Sequence, residues 1–270
     1  MTGLRLRPPA VAGAFYPSDP DALRACVQGY LDEAVARAGG SDRDGRSPKA
    51  IVAPHAGYVY SGPVAARAYA AVLPLRGTVE RVVLLGPAHR VPLAALAAPT
   101  ADAFATPLGP VPVDTAARDR VVGAGLVVTS DEAHAREHSL EVHLPFLQVA
   151  LGDVAVLPLT VGNVAAAAAS DVIERVWDGS ETLVVVSTDL SHYHDQATAA
   201  DLDRRTAAAV VAKRPEELRP DAACGLFALR GLLEVARRHD LDVELLHLGT
   251  SADTAGTPER VVGYGAFAIA

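Results

Sequence analysis

Six short runs of β-branched and aliphatic residues alternate with longer, alanine-rich segments along this chain, and that alternation restricts the folds open to it. Runs 49–53, 79–85, 154–161, 182–187, 243–248 and 261–269 read as strands; segments 63–73, 115–123, 164–177, 197–212 and 222–239 read as helices. The five alanines at 165–169 fit this pattern, because alanine is the best helix former. Strands that alternate with helices predict an α/β fold: a single-domain sandwich with a central mostly parallel or mixed sheet flanked by helices. No repeat of fixed period occurs, and no break in composition after residue 49 marks a second domain, so residues 1–270 are expected to form one unit.

Ahead of the first strand, Ser18-Asp19-Pro20-Asp21 predicts a helix start, with a capping residue and an early acid before the apolar spacing of Leu23, Cys26, Val27, Tyr30 and Leu31. Cys26 then falls on the apolar face and reads as a small buried hydrophobe. Residues 39–48 are polar and glycine-rich, which predicts an exposed loop.

Charge and cysteine content exclude several classes. With 24 basic and 32 acidic residues the net charge is −8, so nothing in the balance offers phosphates a cationic face, and nucleic-acid binding is not expected. Cys26 and Cys224 are the only cysteines, too few for a disulfide framework or a CxxC zinc ribbon, which fits a reducing cytoplasm. Residues 1–17 lack the apolar segment of a signal peptide, and no stretch reaches the ~18 apolar residues of a membrane span. A cytoplasmic protein is expected. The chain contains no GxSxG elbow, no GxxxxGK[ST] phosphate loop and no GxGxxG fingerprint, so serine-hydrolase, P-loop and Rossmann chemistries lack support.

Ligands of open α/β sheets collect where strands end and loops begin. Three strands run into turns that carry a histidine: 49–53 into Pro54-His55-Ala56-Gly57-Tyr58-Val59-Tyr60, 79–85 into Gly86-Pro87-Ala88-His89, and 182–187 into Thr188-Asp189-Leu190-Ser191-His192-Tyr193. A fourth polar cluster, Glu137-His138-Ser139-Leu140-Glu141-Val142-His143, falls in a turn before the expected helix 144–151. In a chain with nine histidines this concentration makes a metal site the leading hypothesis. Imidazole suits iron, copper, zinc or nickel, and two histidines with one carboxylate are a pattern of non-heme Fe(II) oxygenases. A third ligand from Glu137, Glu141, Asp189 or Cys224 stays open at this level; a helix start at Cys224 would lower its thiol pKa and favour the metal-binding form. His134-Ala135-Arg136-Glu137-His138 also spells HxxEH, a zinc-protease pattern, but only three of its five positions are fixed and the preceding residues lack helical apolar periodicity.

Several long segments in order carry a resemblance. Residues 7–17 (Arg7-Pro8-Pro9-Ala10-Val11-Ala12-Gly13-Ala14-Phe15-Tyr16-Pro17), the turns at 53–62, 86–89, 137–145 and 187–193, Cys224-Gly225 and Val262-Gly263-Tyr264-Gly265 resemble the Memo family, whose prokaryotic members are called AmmeMemoRadiSam system protein B. The resemblance implies one domain similar in fold to class III extradiol (LigB-like) dioxygenases. It implies a metal held by His55, His89 and Cys224, Fe(II) first and copper or zinc next. Asp189 and His192 fall beside that pocket, with His192 as proton acceptor; Glu137, His138 and His143 line it or orient ligands. Tyr58, Tyr60 and Tyr193 are candidate walls for a small, planar aromatic substrate. The dioxygenases use a glutamate where this chain has a cysteine, and a soft thiolate shifts preference toward Cu(I) or zinc. The resemblance therefore supports two readings, an iron-dependent redox enzyme, or a non-catalytic metal-binding adaptor that acts with an AMMECR-type and a radical SAM partner.

Overall fold

Side chains of the central strands alternate between two faces, and both faces are apolar, which is the signature of a sheet buried between two helical layers. The computed structural model describes residues 3–38, 47–177 and 179–270, so most of the expected loop 39–48 lies outside the described residues. Strands in chain order are β1 (Leu6–Arg7), β2 (Ala50–Ala53), β3 (Arg81–Pro87), β4 (Leu96–Ala98), β5 (Ala103–Thr106), β6 (Gly109–Pro112), β7 (Val128–Thr129), β8 (Ala155–Val161), β9 (Thr182–Ser187), β10 (His192–His194), β11 (Val243–Thr250) and β12 (Val261–Ile269). Helices are α1 (Pro20–Ala38), α2 (Tyr58–Val72), α3 (Thr115–Gly123), α4 (Asp131–Ala135), α5 (Leu144–Ala150), α6 (Ala166–Val176), α7 (Gln196–Val211) and α8 (Leu226–Arg238).

The main sheet runs in the order β10-β12-β2-β9-β3-β8-β4-β7, with β11 also paired to β12. Its centre is parallel through β2, β9, β3 and β8, while β12 joins β2 and β4 joins β8 antiparallel. The single-domain α/β sandwich with a mixed sheet is thus observed. Ile51, Ala53, Val82, Leu84, Leu183 and Val185 face a layer that contains Leu23 and Val27 of α1, Tyr69 of α2 and Phe146 of α5. Their neighbours Val52, Val83, Leu85, Val184 and Val186 face Val121 of α3, Ile173 of α6, Val210 of α7 and Leu229 of α8. Each large aliphatic side chain buried here contributes roughly 1.5–3 kcal/mol relative to exposure.

Helix α1 starts as its sequence predicts, with Pro20 in the first turn and the Asp19 carboxylate accepting the Ala22 N–H at 2.8 Å. Other boundaries moved. Helix α2 begins at Tyr58, five residues before expected, and keeps Pro63 in its interior rather than at its start. Helix α8 begins at Leu226, so Cys224 lies just outside it. A separate three-stranded sheet, β1-β5-β6, went unseen in the sequence because its strands have two to four residues and no alternation long enough to register. Among the described residues no helix is long and apolar enough to cross a membrane.

Candidate metal centre

Because β2, β9 and β3 are adjacent and parallel, their carboxyl ends come to the same edge of the sheet. The turns that follow them bring His55, Asp189 and His89 to one place, as ligand sites of open α/β sheets require. Ala53 and Ser187 are register partners at the ends of β2 and β9, so the Ser187 hydroxyl lies beside the His55 ring, 2.6 Å from Nδ1. That hydroxyl donates its one proton to the Ser139 carbonyl at 2.6 Å. His55 Nδ1 must therefore carry the proton it shares with Ser187, which leaves the lone pair of Nε2 free. His55 is 2% exposed, and burial holds its imidazole neutral, well below the usual range, with further lowering from His89 and His138.

His89 is fixed in the same sense by Glu137. The carboxylate accepts from the His89 N–H at 2.6 Å, from His89 Nδ1 at 2.9 Å, and from the N–H groups of His138 and Ser139 at 3.0 and 2.9 Å. Burial alone would raise the Glu137 carboxyl, but these hydrogen bonds, that from the His89 ring first, hold it at about 2. An ionised carboxylate only accepts, so His89 also donates from Nδ1 and keeps Nε2 free. His138 lies 3.4 Å from the same carboxylate through Nδ1, which is buried without a hydrogen-bond partner. Rings of His55, His89 and His138 have centroids 4.9–5.5 Å apart, and ligand atoms of the three lie within 4.8 Å of one another. This three-histidine cluster is able to hold a metal ion, and the orientation of the His55 ring by a hydroxyl and of the His89 ring by a carboxylate is what metal sites require of their surroundings.

A cavity of about 590 Å³ opens onto the cluster, lined also by Tyr60, Arg90, Asp189, His192, Tyr193 and Arg260. Asp189 is buried and accepts the His55 N–H at 2.8 Å; burial nevertheless pushes its carboxyl up. Cys224 Sγ is 3.3 Å from His55 Nε2 and accepts the Asp189 N–H at 3.2 Å. Burial and then the Asp189 charge push the Cys224 thiol up, opposite to the lowering expected of a helix start. At Gly225 the approach is close enough to matter, since a Cβ there would sit 2.5 Å from the Ser187 carbonyl oxygen.

The turn that carries Glu137 and His138 is clamped from the N-terminal segment. Arg7, buried on β1, donates to the carbonyls of His134 and Glu137 and pairs with Glu141. Glu141 in turn accepts from the N–H groups of Ala10 and Val11 at 2.7 and 2.9 Å and from the Tyr16 hydroxyl at 2.6 Å. Phe15, on the segment so fixed, packs its ring 4.9 Å from that of His138. On the other side Gly86 lets the turn approach β3; a Cβ there would lie 2.8 Å from Ser139 Oγ.

A family model described as Memo-like protein matches residues 7–268. The chain belongs to the Memo family. It is 38% identical to a MEMO1 family protein of Methanopyrus kandleri over 279 residues, covering 96% of this chain and 97% of that one. Similar proteins of Thermotoga petrophila (35% over 276 residues; 96% and 97%) and Aquifex aeolicus (33% over 273 residues; 97% and 98%) bear the same family name.

For this Memo protein several expected site residues take other places. Tyr58 does not line the cavity: it is 3% exposed, packs against Phe146 and donates its hydroxyl to the Val142 carbonyl at 2.6 Å. His143 is likewise a core residue, hydrogen-bonded through Nδ1 to the Tyr69 hydroxyl at 2.8 Å. Glu141, a candidate ligand, is committed to Arg7. His134 and His138 do not share a helix, because α4 ends at Ala135, and His134 Nε2 is spent on the Ala97 carbonyl; the HxxEH arrangement does not form. His138, expected beside the metal, belongs to the cluster itself. Cys26 packs against the core, as its position on the apolar face of α1 predicts. Ser187, Arg7, Arg90 and Arg260 were missed. The signal for Ser187 and Arg7 was membership in matching segments and that for Arg90 was adjacency to His89; Arg260, outside those segments, had none.

Proposed function

We propose that this protein is a metal-dependent redox protein, with non-heme Fe(II) at the three-histidine cluster and a small, partly aromatic molecule as substrate. The observation that carries this is the convergence of His55, His89 and His138 on the wall of an accessible cavity of about 590 Å³. A purely structural metal is closed off by protein ligands, whereas a catalytic one keeps an open position. Bound Fe(II) would supply a redox couple and a Lewis acid. Ser187 and Glu137 hold the His55 and His89 rings in the tautomer that offers Nε2. His192, on the cavity wall, takes a proton from a substrate hydroxyl, acting as a general base through a ring nitrogen. Tyr60 and Tyr193 flank the substrate's planar part. Cys224, beside His55 Nε2, is a thiol donor within reach of the same site.

The test is anaerobic loading with Fe(II), then exposure to O₂ with a panel of catechols. Substrate-dependent O₂ uptake that falls by roughly 10²-fold or more in His192→Gln is expected. No such uptake by protein that carries stoichiometric iron would reject the redox reading. X-ray absorption on the same sample separates a shell of nitrogen alone from one with sulfur at about 2.3 Å, which decides the part of Cys224.

A further inference from the structure

Two exposed arginines lie on the cavity wall. Arg90 follows His89 directly, and Arg260 precedes β12; both side chains line the same cavity as the histidine cluster. Most arginines that contact other groups here are committed: Arg7 to Glu141, Arg81 to Asp114, Arg204 to Asp201, Arg214 to Glu217 and Arg219 to Asp221. Among the described residues neither Arg90 nor Arg260 has a carboxylate within ion-pair distance. The Arg260 guanidinium carbon instead lies 4.4 Å from the centroid of the Tyr193 ring, a cation–π contact. Such a contact ties none of the guanidinium N–H groups to an acceptor, so they are left to donate.

Tyr193 is itself held in an unusual way. Its backbone φ is +66°, in the left-handed region that a bulky residue adopts at a cost of roughly 1–2 kcal/mol. The side chain gains no burial in return, since it is 64% exposed. The conformation does present the ring to Arg260 at the cavity wall. Among the described residues Asp189 is the only carboxylate that lines the cavity; it is buried and accepts the His55 N–H through one oxygen. In a chain of net charge −8, this cavity therefore sets two guanidinium groups without a carboxylate partner, beside imidazoles, against a single buried carboxylate.

We propose that the cavity selects an anion: a small molecule whose carboxylate or phosphate is bound by Arg90 and Arg260 while its planar body reaches the histidine cluster. This deepens the proposed function and rests on the cavity being its substrate site. Guanidinium donors recognise planar oxyanions by paired hydrogen bonds, which neutral analogues cannot accept in the same geometry. The cavity is of the size that encloses most of a small organic ligand.

Calorimetric titration of the chelator-treated protein with benzoate, phenyl phosphate and neutral benzamide tests this without a bound metal. At least one of the two anions should bind about tenfold more tightly than benzamide, and whichever does identifies the oxyanion. Arg90→Met and Arg260→Met should each weaken that anion by about tenfold, and Arg260→Lys should recover part of the loss. Both arginines are exposed, so the variants should melt with the parent. Equal binding of benzamide and the anions, no binding of any probe, or anion affinity within twofold of the parent in both Met variants would overturn the inference. Metal content measured after the same preparations are reloaded with Fe(II) separates the two proposals. Anion selectivity without metal binding counts against the metal reading alone, and stoichiometric metal without anion selectivity counts against this one alone.

Discussion

Replacing Glu141 by glutamine probes the clamp that holds the histidine-bearing turn. The carboxylate is fully buried and faces four donors: the Arg7 guanidinium, the N–H groups of Ala10 and Val11, and the Tyr16 hydroxyl. Glutamine is nearly isosteric but offers one acceptor oxygen and an NH₂ group, so at least one donor meets another donor. It also leaves the Arg7 charge buried and uncompensated. Removing one partner of a buried ion pair costs roughly 3–5 kcal/mol, a large part of the 5–15 kcal/mol typical of a folded protein. For a chain of this size that corresponds to a fall in Tm of roughly 6–20 °C. Guanidinium denaturation followed by far-UV circular dichroism measures it. The Arg7→Met/Glu141→Gln double variant should lose at least about 1 kcal/mol less than the sum of the single variants, because the stranded charge is gone. A loss below about 1 kcal/mol for Glu141→Gln, or strict additivity in the double variant, would refute the account of the clamp.

Glu137→Gln keeps the shape of the group that orients His89 but removes its charge; metal affinity measured by competition with a chelator should fall by roughly 10–100-fold, and unchanged affinity would show that the carboxylate does not set the ring. Acid should destabilise the fold through two core histidines. Burial lowers His134 to about 4 and His143 to about 3, so the unfolded chain binds more protons than the native one below the ordinary value of 6.5. Their contribution is fully present above about pH 6.5 and is lost as pH falls toward 4, at up to about 1.4 kcal/mol per pH unit for each. His134→Gln should reduce the slope of unfolding free energy against pH in that window, and an unchanged slope would remove His134 from the explanation. Gly225→Ala forces a Cβ against the Ser187 carbonyl and should cost roughly 1–3 kcal/mol in thermal or denaturant melts, whereas parental stability would mean that the segment after Cys224 yields freely.

The architecture was legible because its signals are local. Strand β9 and helix α3 match their predicted limits, the first a run of β-branched residues bounded by polar turns, the second a segment whose start the Asp114 side chain caps in the structure. The edge position of His55, His89 and Asp189 also followed from sequence, since strand ends can be read and parallel neighbours share an edge. What sequence could not give was which polar side chain points into that edge. Glu137 and Glu141 are four residues apart in one acidic turn, yet one orients His89 and the other binds Arg7, more than 130 residues away in the chain. Tyr58 and Tyr60 are two residues apart, and the start of α2 sends one into the core and the other to the cavity wall. Such divisions depend on long-range packing that no spacing within the turn records.

The claim on which the rest depends is that His55, His89 and His138 hold one metal ion. Anomalous diffraction from crystals of iron-loaded protein, collected on both sides of the iron edge, tests it most directly. One peak per chain is predicted, about 2.0–2.3 Å from a ring nitrogen of His55 and of His89 and next to His138, and absent in His55→Ala crystals. A peak elsewhere, or none in protein shown to carry stoichiometric iron, would contradict the account.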